Sequence, residues 1–259
     1  MVLDWLIDLH KAEDKPWKMI ILGFVYSTIA AGLAYLIFPR EAGAVMLVLT
    51  IAAFMPLMLN LMKIEELKDE TSRFLIKEHW PALRLFVFLF FGMILAYVTL
   101  FLTLPSNITN SLFGMQIDTI TSRGVEMGAV LGLDNLGGIL LNNFKVLFVG
   151  LLLALVFGAG AIFILDWNAT ILGVLIGGTL KHSFGIGFAQ YLVHGIPEIF
   201  AYFVAGLAGG IISAAIARHK IGTPQFTKIL KDSTGLIVLS IVILLIAALL
   251  EVFVSPLIG

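Results

Sequence analysis

The sequence predicts an all-α fold, a polytopic transmembrane helical bundle of about seven spans with its N-terminus in the cytoplasm. Three observations predict it: 60% of the residues are hydrophobic and only 13% charged, the mean hydropathy is +1.05, and apolar runs of span length recur along the chain. An ordinary globular domain has roughly 45–50% apolar and about 25% charged residues, so a water-soluble fold could not bury this much apolar surface. Backbone groups in lipid must be satisfied within their own segment, which makes each run of about 20 apolar residues a helix. One bundle accounts for all 259 residues.

Taken in order, residues 1–16 mix Asp4, Asp8, Glu13 and Asp14 with Lys11 and Lys15 and read as an interfacial segment rather than a signal peptide. Residues 17–104 hold the first three spans. The first (17–38) stops at Pro39-Arg40, the second covers 42–62, and a charged, solvated or interfacial cytoplasmic helix (63–80) precedes the third, which starts at Pro81 as a first-turn proline. Residues 105–143 are too polar to span yet keep Phe113, Met115, Ile117 and Ile120 among Asp118, Arg123 and Glu126. That pattern predicts an outer amphipathic segment lying on the membrane or plugging a cleft. Residues 144–259 hold spans four to seven. Span four ends at 165, and Asp166-Trp167-Asn168 is expected to make a tight turn and cap the next helix. Span five is glycine-rich, is interrupted by Lys181 and His182, and is a candidate for a broken helix. Span six is expected to start at Pro197 and span seven to cover 235–254.

Orientation follows from charge. Twelve of the sixteen Lys and Arg residues lie in segments 11–18, 63–84 and 218–231, on the side the positive-inside rule assigns to the cytoplasm. The balance of −1 offers no basic face for nucleic acid, and the absence of cysteine excludes disulfides, thiolate metal sites and cysteine nucleophiles.

Candidate functional residues fall in the second half. Asn142, Asn143 and Lys145 open span four, either as caps and an interfacial lysine or as a polar cluster facing the bundle. Lys181 and His182 interrupt span five, where ionisable groups are costly unless they face a cavity or sit at the interface. His194, Gly195 and Glu198 open span six, where Glu198 would favour the helix N-terminus and His194 could fold back onto it. His182, His194 and Glu198 are a conceivable metal set, since imidazoles and a carboxylate are zinc ligands. No H-E-x-x-H, G-x-S-x-G or phosphate-loop motif accompanies them. Asn142, Asn143, His194 and Glu198 are expected to converge into one polar cluster.

The run Asn142-Asn143-Phe144-Lys145, a glycine-rich span and then His194-Gly195-Ile196-Pro197-Glu198 resembles the stage II sporulation protein M family over about residues 140–210, with Asn142, Asn143, His194, Gly195 and Glu198 matching its pattern. The resemblance implies an integral protein of the cell (plasma) membrane, similar to archaeal members. Bacterial members look like membrane anchors for a peptidoglycan-degrading complex. Three functions are therefore carried forward. One is a non-enzymatic anchor or organiser of membrane or envelope protein partners, with a homo-oligomer as one form. Another is a transporter or lipid-handling protein using a broken fifth span, and the third is a metal-dependent intramembrane hydrolase. Beyond the lipid bilayer no ligand is required, and no cofactor is expected.

Overall fold

The computed structural model describes residues 15–67, 75–129, 136–158, 160–182 and 188–257. Among these it is helical throughout: α1 (Lys18–Ile37), α2 (Ala42–Glu66), α3 (Leu75–Thr103), α4 (Ser106–Ala129), α5 (Leu136–Phe157), α6 (Gly160–His182), α7 (Phe188–Arg218) and α8 (Pro224–Phe253), with a closing 3₁₀ turn, Ser255–Leu257. Seven of them, all but α4, are long and apolar enough to cross a membrane.

The bundle is layered by burial. In the most apolar stretch of α6 and of α7, 78% of residues are buried, against 22% in α5 and α8 and 28% in α1, so α6 and α7 form the centre and the other three are peripheral. Lipid gives no hydrophobic drive between helices, and association there rests on close van der Waals packing of small residues. The seams are built that way. A Cβ on Gly92 would stand 2.2 Å from the Ile20 carbonyl oxygen, and one on Gly23 would stand 2.5 Å from that of Leu89, so α1 and α3 touch backbone to backbone. On α7, Gly206 faces Ala161 of α6, while Gly209 faces Ala154 and Leu151 of α5. The outward stripe of α1, Ile21, Val25, Ile29, Leu33 and Leu36, is exposed and apolar, as a lipid-facing surface must be.

Several boundaries differ from the sequence expectation. The break between spans four and five falls at residues 158–160, not at Asp166-Trp167-Asn168. Gly158 adopts φ +68° and its N–H caps the Ala154 carbonyl at 2.8 Å, a left-handed terminus that glycine permits. Asp166 and Asn168 instead lie inside α6, where the Asn168 amide donates to the Ile164 carbonyl at 2.8 Å. Among the described residues the fifth span is continuous: α6 runs unbroken from Gly160 to His182. Pro81 and Pro197 are interior residues rather than helix starts, because α3 begins at Leu75 and α7 at Phe188. Each forfeits one backbone hydrogen bond, a loss that neighbouring helices make tolerable in a membrane bundle.

There is no separate solvated helix at 63–80 among the described residues. Its two ends extend α2 and α3, and Glu65, Glu66 and His79 are buried. The outer segment 105–143 is likewise divided. Residues 106–129 form α4, whose first turns seat Thr109, Leu112, Phe113 and Gln116 in the bundle, and 136–143 already belong to α5. The N-terminal segment expected at 1–16 lies outside the described residues except for Lys15 and Pro16.

Candidate functional site

Asn143, His194 and Glu198 come from two parallel neighbours, α5 and α7. From the end of the bundle that the charge bias assigns to the outside, called the outer end below, α5 descends and α7 does the same beside it, with α8 returning along α7 to bring its last turn to the same level. Because α5 starts at Leu136, Asn142 and Asn143 sit two turns inside it and cap nothing. Asn142 is exposed and donates to Asn143 Oδ1 at 3.2 Å; Asn143 itself is buried. Lys145 points out of the bundle.

On α7 the helical repeat stacks His194, Glu198 and Tyr202 one turn apart on a single face. The Tyr202 hydroxyl donates to Glu198 Oε1 at 2.7 Å, with the Asn143 carbonyl oxygen at 3.5 Å on its other side, at the limit of hydrogen-bond reach. Tyr202 therefore stands between the α7 carboxylate and the α5 backbone. Glu198 is thus explained by Tyr202 and not by a helix N-terminus, since that terminus lies three turns earlier. The buried His194 ring shares a hydrogen bond with Ser255 Oγ through Nδ1 at 3.0 Å, which ties α7 to the turn after α8. Tyr191 packs edge-on against His194, with ring centroids 5.4 Å apart. Gly195 makes room for that ring: a Cβ there would stand 3.0 Å from Tyr191 Cε1.

Glu251, from the last turn of α8, completes the group. One ligand atom from each of His194, Glu198 and Glu251 lies within 4.8 Å of the others. Two carboxylates and an imidazole, with Tyr202 bonded to one and Ser255 to another, have the donor types of a divalent-metal site and its outer partners. They equally suit a hydrogen-bonded clamp between helices. The Asn143 Nδ2 atom is buried without a hydrogen-bond partner, a condition that costs about 1–3 kcal/mol where nothing satisfies it.

The other sequence candidates lie apart from this group. Lys181 is exposed at the outer end of α6, and its Nζ donates to the Phe101 carbonyl at 3.4 Å on the rim of a cavity of about 160 Å³. His182 ends α6, and its side chain lies outside the described residues. Sequence reasoning missed Tyr202, Glu251 and Ser255. Two signals were available: Tyr202 follows Glu198 by one helical turn, and Glu251 is an acid inside an otherwise apolar run.

The same residues lie within one matched segment. The family model described as stage II sporulation protein M matches residues 82–256, which takes in α3 almost whole, α4 to α8 and Ser255. An uncharacterized protein of Methanocaldococcus jannaschii is 33% identical over 127 residues, covering 47% of this chain and 71% of that one. No solved structure matches.

Proposed function

The chain belongs to the stage II sporulation protein M family, and from that membership we propose that it is a non-enzymatic anchor or organiser in the plasma membrane, holding membrane or envelope proteins, or further copies of itself, in place. The observation that carries this reading is the way the outer polar group is used. Tyr202, bonded to Glu198 within α7, reaches the Asn143 carbonyl of α5 at 3.5 Å, and His194 bonds Ser255 after α8, so this polarity helps to hold the peripheral α5 and α8 on the central α7. The cavity beside Lys181 is lined by none of them, and at about 160 Å³ it is smaller than the roughly 300 Å³ at which small-molecule pockets begin. A rigid frame with charged ends fits a docking role.

The test is the size of the particle extracted from native membranes in mild detergent. An organiser migrates as a complex larger than its own micelle and loses that complex when Glu198 and Glu251 of the outer group are changed to Gln. Conversely, a purified chain that alone hydrolyses peptide or lipid, or moves a solute across liposomes, would overturn the reading.

One observation favours a second reading, a metal-dependent intramembrane hydrolase: the ligand atoms of His194, Glu198 and Glu251 gather within 4.8 Å. It requires stoichiometric divalent metal in the purified protein, lost in Glu251→Gln and His194→Gln. Metal content at background in the folded wild type rejects it. The transporter reading relied on a broken fifth span, and α6 is continuous over the described residues Gly160–His182.

A further inference from the structure

A second polar group lies deeper, in the centre of the bundle. Asp166 is fully buried on α6, six residues past Gly160, or about 9 Å along the helix at 1.5 Å per residue. Its Oδ1 accepts from the Tyr97 hydroxyl of α3 at 2.5 Å, and its Oδ2 is buried with no partner. Behind Tyr97 stand the hydroxyls of Thr50 of α2, at 3.4 Å, and Ser27 of α1, whose oxygen is also buried without a partner of its own. Four helices therefore contribute one carboxyl and three hydroxyls to a place with no solvent. From α4 and α7, among the described residues, no charged side chain is ion-paired with it.

A polar column leads from this group toward the outer end. One turn above Asp166, Thr170 accepts from the Gln116 amide of α4 at 3.2 Å, and both are fully buried. Gln116 Oε1 has no partner, a second orphan acceptor. One more turn up, Val174 lines the cavity of about 160 Å³ together with Ile117, Ile120, Phe101, Thr109 and Lys181. Phe113 of α4 closes the way between: its ring lies 6.0 Å from that of Tyr97 and 5.9 Å from that of Phe101.

We propose that Asp166, with Tyr97, Thr50 and Ser27, is a proton-binding site inside the membrane, loaded from the outer face past Gln116 and Thr170 when Phe113 moves aside. The geometry points to a proton rather than a larger cation. An ionised carboxylate with one hydrogen bond is disfavoured at this depth, and the 2.5 Å approach of Tyr97 to Asp166 leaves no room for an ion between their oxygens. A proton on Oδ2 needs no space and turns an orphan acceptor into a donor, and Gln116 Oε1, an orphan acceptor beside Thr170 one turn up, lies on the way out. No bond between heavy atoms changes: the proton comes from water in the outer cavity and returns to it. Loss of the proton leaves a charge in a dry core and so draws in water, which favours displacement of α4 and links its seating to external pH.

Infrared spectroscopy of the full chain in nanodiscs tests this through the C=O stretch of protonated carboxylic acid. The wild type is expected to show a band that Asp166→Asn abolishes, that Tyr97→Phe shifts while retaining, and that exchanges with deuterated water several-fold faster in Phe113→Ala. Should Asp166→Asn fail to fold, the Tyr97→Phe shift and the Phe113→Ala rate carry the test. A spectrum in which neither Asp166→Asn nor Tyr97→Phe changes any protonated-acid band overturns the proposal. So does replacement of the band by a carboxylate band when choline is replaced by sodium at fixed ionic strength, because the site would then take a monovalent metal ion.

Discussion

At the inner end of the bundle Glu65 meets His79 at 2.6 Å and Glu66 meets Arg218 at 3.1 Å and His219 beside it, so each buried acid has a basic partner from another helix. At the outer end Glu198, Glu251 and the His194 imidazole bring one ligand atom each to within 4.8 Å of the others, and a phenol and a serine hydroxyl join them. Both groups lock helices in register: α2, α3 and α7 at the inner end, α5, α7 and α8 at the outer. The difference lies in charge balance. The inner group matches opposite charges and is complete as a clamp, whereas the outer group holds more acid than base and joins it through neutral hydroxyls. An excess of that kind is what a docking partner or a metal ion would complement, which is why the functional reading rests on the outer end.

The comparison breaks outright if the two ends are swapped. A cysteine at the exposed position 110 is expected to react with an impermeant thiol reagent from outside and one at 225 only from the cytoplasm; the reverse pattern would exchange the roles of the two groups. Within the expected orientation, His79→Ala should be the most damaging single change. It leaves Glu65 buried with its ion-pair partner gone, for which a loss on the order of 3 kcal/mol in detergent unfolding is expected. Tyr202→Phe removes one neutral-to-acid hydrogen bond and should lower stability by about 1–2 kcal/mol without disturbing the helix. Lys145→Ala, on an exposed side chain outside both groups, should stay within about 0.5 kcal/mol. Equal losses for His79→Ala and Lys145→Ala would mean that the inner pair is no clamp.

The spans were legible because hydrocarbon thickness fixes a length and lipid forces a helix, so apolar runs alone located the seven of them. Their ends were less so, because local turn signals compete with burial. Pro81 and Pro197 carry the chemistry of helix starts but lie within helices whose earlier turns are held by packing. Asp166-Trp167-Asn168 carries the chemistry of a turn, yet Tyr97, 69 residues away, meets its carboxylate inside the core. That partner is invisible without the fold. Gly158 shows the reverse: a glycine within an apolar run that supplies the turn. His194 and Glu198 were legible as unusual polarity in an apolar chain. Their partners were not, because Glu251 and Ser255 arrive from the far end of the sequence, and reading Pro197 as a helix start hid the one-turn relation among His194, Glu198 and Tyr202.

The account stands on the outer group acting as one unit that binds α5 and α8 to α7. A double-mutant cycle on His194→Ala and Ser255→Ala, read by unfolding in detergent, measures the α7–α8 side of this directly. The account predicts a coupling of about 1 kcal/mol, the double mutant losing less than the sum of the singles, since each single change breaks the same 3.0 Å bond. Losses that simply add, within about 0.3–0.5 kcal/mol, would contradict it and leave two independent residues where the account has one site.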